Sequence, residues 1–226
     1  MARDPKKRQK ALQRKKAKRK QKQAKIQQLA RPGARTLLRQ AGSWPLREVL
    51  LTEEWDQEGA IIQILVARQS DLGQIAVGVF LVDLGCLGVK NAYARLLESH
   101  HEYQELRQDM MSRQALIPAE LDLVAKIIEA GIAYADQYGF KPNPDYHQAK
   151  TILGKADPHA CAVHIPLGGP EGKPFFIAGP YDNVDRILAK LTKAVGPDGF
   201  NYLVTLGPDP EDFMDDEEWS ALEPGD

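Results

Sequence analysis

The stretch from Gln74 to Ala94, Q-I-A-V-G-V-F-L-V-D-L-G-C-L-G-V-K-N-A-Y-A, limits what this chain can fold into more than any other. Its first half is apolar on both alternations, with Ile75, Val77, Val79 and Leu81 on one parity and Ala76, Phe80, Val82 and Leu84 on the other. A strand that is apolar on both parities needs a covering layer on each face. The pattern therefore predicts a strand in the middle of a sheet. The second half sets Asp83, Cys86 and Lys90 among Gly85 and Gly88, where extended chain is expected to turn into helix.

The flanking residues suggest how this strand is surrounded. Residues 45–52 and 61–67 read as two earlier strands, separated by an acidic turn at 53–59 and followed by a turn at 69–73. Links this short favour antiparallel pairing in a β-meander. After Gly88 the chain takes on helical composition. A second helix is marked by Pro118 in its first turn, by Leu121, Val124, Ile128, Ile132 and Ala135 at helical spacing, and by Gly139 just past its end. A third is expected from Asn143 as N-cap to Gly154.

Beyond Gly154, residues 160–167 and 174–179 read as strands joined by a hairpin loop at 168–173. Asp182 is expected to cap an amphipathic helix with Val184, Ile187, Leu188, Leu191 and Val195 on one face, and residues 200–206 form a last strand. The fold class is α+β: an antiparallel β-meander, a helical middle, and a β-β-α-β C-terminal part.

Charge divides the chain further. Residues 1–35 hold 15 Lys/Arg against one acid, whereas residues 36–226 hold 15 Lys/Arg against 30 Asp/Glu. The division predicts a basic arm over 1–35, disordered or helical on binding, a single composite domain over 36–207, and an acidic disordered tail over 208–226. Like charges at helical i,i+4 spacing repel each other in the free arm, and a polyanion relieves that repulsion.

The leading expectation is a protein that binds nucleic acid, as RNA or ribonucleoprotein, through phosphate contacts of Lys6, Lys7, Arg8, Lys10, Arg14, Lys15, Lys16, Lys18, Arg19, Lys20, Lys22 and Lys25. No aromatic residue occurs before Trp44, so the arm cannot stack on bases and its binding is expected to be promiscuous. The acidic body or tail offers a surface to a protein partner. An alternative is a regulatory protein whose arm folds onto its own acidic body. No window reaches the 18 apolar residues of a membrane span, and two cysteines do not make a disulfide framework, which points to the cytoplasm.

A second alternative is an enzyme acting on nucleic acid or a nucleotide, with Asp83, Cys86 and Lys90 as its catalytic site. A cysteine beside a lysine at a helix start can have a lowered pKa and act as a nucleophile. The opposing structural reading makes Cys86 a small buried hydrophobe in a glycine turn, with Asp83 capping nearby N–H groups. Lys173 is a candidate anion-binding residue near the start of the helix after Asp182. His159, Cys161 and His164 lack the paired spacing of a regular zinc site, so neither a metal site nor a cofactor is expected.

The run F-L-V-D-L-G-C-L-G-V-K-N-A, residues 80–92, resembles a segment found in bacterial proteins of unassigned function. Residues 168–184, G-G-P-E-G-K-P-F-F-I-A-G-P-Y-D-N-V, resemble the same proteins more loosely. The resemblance implies a shared fold and carries no catalytic assignment.

Overall fold

The computed structural model describes residues 33–204. The arm before Gly33 and the tail expected from residue 208 lie outside the described residues. Helix α1, Ala34–Gln40, begins within the range expected for the arm. Leu38 and, just past the end of the helix, Ala41 are buried, which holds this helix against the body.

Strands β1 (Leu46–Thr52), β2 (Ile61–Gln69), β3 (Ile75–Asp83) and β4 (Gly88–Leu97) form the expected antiparallel meander. A short β5 (Leu116–Pro118) then returns to the free edge of β1. The order is β4-β3-β2-β1-β5. The centre of the sheet is therefore β2, with β3 beside it, because β5 adds a strand on the far side of β1.

The helix expected after Gly88 is instead β4. Helix α2 (His100–Arg113) starts only after Ser99, whose hydroxyl accepts the Glu102 N–H at 3.1 Å. Pro118 closes β5, and helix α3 (Leu121–Gln137) begins after it. The helix expected from Asn143 is reduced to a single turn, α4 (Tyr146–Ala149), running on into a 3-10 turn at Lys150–Leu153. Asn143 spends its side chain on the Asp145 N–H two residues on, and so shapes a turn.

Both faces of the sheet are covered. Val49, Leu51, Ile62, Ile64, Val66, Phe80 and Val82 pack against Val124, Ile127 and Ile128 of α3 and against Ala149 and Ile152. Leu50, Leu65, Ala67, Ile75, Val77 and Leu97 pack against Tyr103 and Met110 of α2. Each fully buried aliphatic side chain contributes roughly 1.5–3 kcal/mol. This two-sided burial is what the double apolar parity of residues 75–84 requires.

Among the buried residues is one cation. Arg68, at 7% exposure, donates to the carbonyls of Ile152 at 2.6 Å, Leu153 at 2.9 Å and Trp44 at 2.8 Å. Its partners are two backbone carbonyls of the 3-10 turn and one just after α1, so it joins β2 to both.

The C-terminal part departs from its expected order. Residues 160–167 form no strand, since Ala160, Ala162, Val163 and His164 all face solvent and offer no apolar face to bury. Strands β6 (Phe175–Ile177) and β7 (Asn201–Leu203) pair in parallel, joined by helix α5 (Val184–Val195). Residues 168–173 are thus no hairpin loop. Helix α5 is capped by Asn183, which accepts the Arg186 N–H, and Asp182 is used elsewhere.

Candidate functional site

The β3–β4 hairpin is where the two sheets meet. Asp83 and Gly88 are paired residues that close it. Asp83 Oδ1 accepts the N–H groups of Cys86 at 2.9 Å and Leu87 at 3.2 Å, which shapes the turn between them. Gly88 has φ +66°, and a β-carbon there would press on Ala135 and on the Gly131 carbonyl of α3. The exposed backbone of the turn then binds the C-terminal part: Leu84 accepts the Gly168 N–H at 2.9 Å and Gly85 accepts the Phe175 N–H at 3.0 Å.

Lys90 occupies a bulge. The pairing steps from Leu81 with Asn91 to Val82 with Val89, leaving Lys90 without a cross-strand partner. Bulges bend a strand and re-aim the extra side chain. Here the Lys90 ammonium reaches Asp182 Oδ2 at 2.6 Å and stands 4.0 Å from Asp83 Oδ2. Asp182 Oδ2 also accepts the Gly179 N–H at 2.8 Å, so this one carboxylate closes the loop before α5 onto the main sheet.

Asp83 itself is 1% exposed, and its Oδ2 has no hydrogen-bond partner among the described residues. Burial raises its pKa above the ordinary carboxylate value and outweighs the Cys86 N–H, the nearby Lys90 charge and the Leu87 N–H, all of which act to lower it.

Cys86 lies in a closed apolar cluster with Leu87, Ala135, Phe140, Phe176, Leu191 and Phe200. Burial, reinforced by the charge of Asp83, pushes its thiol far above the usual range. A nucleophilic cysteine requires the opposite shift together with access. The expected catalytic trio is thus brought together in one turn, but as a structural joint: Asp83 shapes the backbone, Cys86 fills the core, and Lys90 binds Asp182.

The other candidates are dispersed. Lys173 Nζ pairs with Glu171 at 2.8 Å, so the expected anion-binding charge already has a carboxylate partner. Cys161 offers its carbonyl to Lys126 Nζ at 2.7 Å, and Asp157 accepts the His159 N–H. Among the described residues no three His, Cys, Asp or Glu side chains are grouped to hold a metal ion. The arm lysines and arginines up to Lys25 lie outside the described residues.

A second constellation, which motif reading missed, lies between β1 and α2. Arg47 is again a bulge residue, because Leu46 pairs with Arg68 and Glu48 with Ala67. Its guanidinium stacks 4.9 Å from the centre of the Tyr103 ring, bonds Gln69 through Nη1, and approaches His100 Nδ1 at 3.1 Å through Nη2. Glu48 accepts the Tyr103 hydroxyl and takes Arg107 Nε on both oxygens at 3.1 Å. Burial, followed by this bond to Glu48, raises the Tyr103 pKa. Arg47, Glu48, Tyr103, Gln104 and Arg107 line a groove of about 460 Å³. The one signal in the sequence was Arg-Glu opening an otherwise apolar strand.

No family model, curated protein or solved structure matches this chain. Its functional reading therefore rests on its own residues.

One more surface bears on that reading. Arg35 and Arg39 are exposed on α1, and Lys150 is exposed in the 3-10 turn against which α1 packs. The described residues together carry 16 Lys/Arg and 21 Asp/Glu, so the body is only mildly acidic. Residues 208–226 hold nine acids and no Lys/Arg, and account for much of the acidity of the C-terminal portion.

Proposed function

We propose that this protein binds RNA, free or in ribonucleoprotein, through its basic N-terminal arm, with the α+β body as the base from which the arm extends. The observation that carries the reading is the density of charge: residues 1–32 hold 14 Lys/Arg and a single acid. That exceeds what solubility demands and matches a chain that tracks phosphates by releasing their counterions. Exposed Arg35, Arg39 and Lys150 extend the same sign of charge onto the folded body. Both cysteines are free thiols, in keeping with a reducing cytoplasmic setting.

The test compares the full chain with a full-length variant in which Lys15, Lys16, Lys18, Arg19 and Lys20 are replaced by Gln. If 6 to 10 phosphates are engaged, affinity for single-stranded RNA falls by about 3 × 10² to 2 × 10⁴ between about 50 and 200 mM salt. The variant should bind more weakly and with a shallower salt dependence. Equal affinity and equal slope for the two proteins would refute the proposal.

A further inference from the structure

We infer that the groove between β1 and α2 binds a phosphate monoester carried on a sugar, a ligand different in kind from the polyanion proposed for the arm. Two independent features point there. The first is the bulge at Arg47, which interrupts the β1–β2 pairing and places a guanidinium at the groove instead of a cross-strand contact. The second is Arg107, whose Nε holds Glu48 while its two Nη groups have no partner among the described residues.

The lining specifies the ligand chemistry. Arg47 and Arg107 against Glu48 leave one net positive charge, and two guanidinium groups match the oxygens of a phosphate. A volume near 460 Å³ is larger than a lone ion requires and has room for a carrier of sugar size. The Tyr103 ring is buried and covered by Arg47, so the groove offers no aromatic face to a base. No aliphatic residue lines it, which disfavours a lipid.

Two groups are available for hydroxyls. Among the described residues Glu48 Oε1 accepts only from Arg107 Nε and retains a lone pair for a hydroxyl donor. A guanidinium can only donate, so His100 Nδ1 accepts from Arg47 and the ring proton sits on Nε2. The 3.1 Å approach between His100 Nε2 and the Gln104 amide is then met by the amide oxygen, with the amide turned over, and its nitrogen is free to donate to the ligand.

The experiment titrates the full chain at physiological salt with inorganic phosphate and with ribose 5-phosphate. It then compares 5′-phosphorylated with 5′-hydroxyl oligonucleotide. Saturable one-to-one binding of ribose 5-phosphate is expected, weakened about tenfold or more by Arg47→Gln. Gln104→Glu, at a half-exposed position outside the core, should weaken it as well by placing a like charge on the rim, and serves if Arg47→Gln unfolds. A preference for the 5′-phosphorylated strand assigns the site to a strand end, and binding of ribose 5-phosphate without that preference assigns it to a free sugar phosphate. Absence of binding by both phosphates, or binding unchanged in both variants, overturns the inference. So does loss of ribose 5-phosphate binding in the arm variant, which would place the phosphate on the arm; retained ribose 5-phosphate binding with lost RNA affinity separates the two sites.

Discussion

Phe175 donates its backbone N–H to the Gly85 carbonyl at 3.0 Å, and a β-carbon at position 85 would overlap the Phe175 carbonyl oxygen. The glycine is therefore required by the approach of β6 to the hairpin, and its φ is not positive. Gly85→Ala should destabilise the protein by roughly 1–3 kcal/mol, as forced overpacking does. Amide exchange should accelerate first in β6, α5 and β7, with β2 affected least. Uniform acceleration across both sheets would contradict this account.

Asp83 gives a pH dependence with a definite sign. Its pKa is raised above 3.8 in the folded protein, chiefly by burial. A group shifted in this direction contributes stability that is complete below its unfolded pKa and is lost as pH rises through the folded value. Asp83→Asn keeps the Oδ1 acceptor for Cys86 and Leu87 and removes the ionisation. Denaturant midpoints measured from pH 3.8 upward should decline with rising pH more in the wild type than in the variant. Parallel profiles would show that Asp83 is not the source.

Cys86 should resist alkylation. Iodoacetamide should modify the partly exposed Cys161 in the folded protein and reach Cys86 only on unfolding. Cys86→Ser should cost roughly 1–3 kcal/mol, because the hydroxyl enters an apolar cluster without a partner. Fast modification of Cys86 at neutral pH would restore the nucleophile reading.

Arg68→Met should loosen the junction of α1 with the body. The substitution retains a long apolar stem but removes the Arg68 bonds to the Ile152 and Trp44 carbonyls, at about 1–3 kcal/mol for each that stays dry, while the Leu153 carbonyl keeps the Ala156 N–H. Limited trypsin digestion should then cut at Arg35 and Arg39 sooner than in the wild type. Unchanged cleavage there would mean that Leu38 and Ala41 hold the helix unaided.

Strands β1 to β3 were legible because their apolar runs end at clear turn residues. The next strand was hidden by its own bulge. With Lys90 unpaired, the apolar positions pass from Val89 to Ala92, Ala94 and Leu96, so the period of two breaks just where Ala, Arg, Leu and Glu suggest a helix. The parallel β6–β7 pair was misread for a different reason. Its strands are three residues long, and their partner choice is set by docking onto Gly85, which no local pattern encodes.

The same bulge effect obscured the groove. Arg47 and Glu48 are adjacent in sequence, yet the bulge separates their roles, and Arg107 and Tyr103 reach them from a helix more than 50 residues away. Asp83, Cys86 and Lys90 were legible as a group, since a turn brings close residues together. Their role was not, because burial of the thiol depends on Phe176, Leu191 and Phe200 arriving from the far end of the chain.

The hairpin from Asp83 to Gly88 also imposes an order on synthesis. Among themselves, strands β1 to β4 pair only with sequence neighbours and can zip as they leave the ribosome, before β5 adds to β1. The Phe175 and Gly168 N–H groups, by contrast, find their acceptors on a turn made 90 and 84 residues earlier, and β7 completes its pairing only once Leu203 has emerged. Until then the thiol of Cys86 and the side chain of Phe140 lack Phe176, Leu191 and Phe200 as cover. A chain stalled before residue 175 would therefore expose an apolar, oxidisable patch that the finished fold covers.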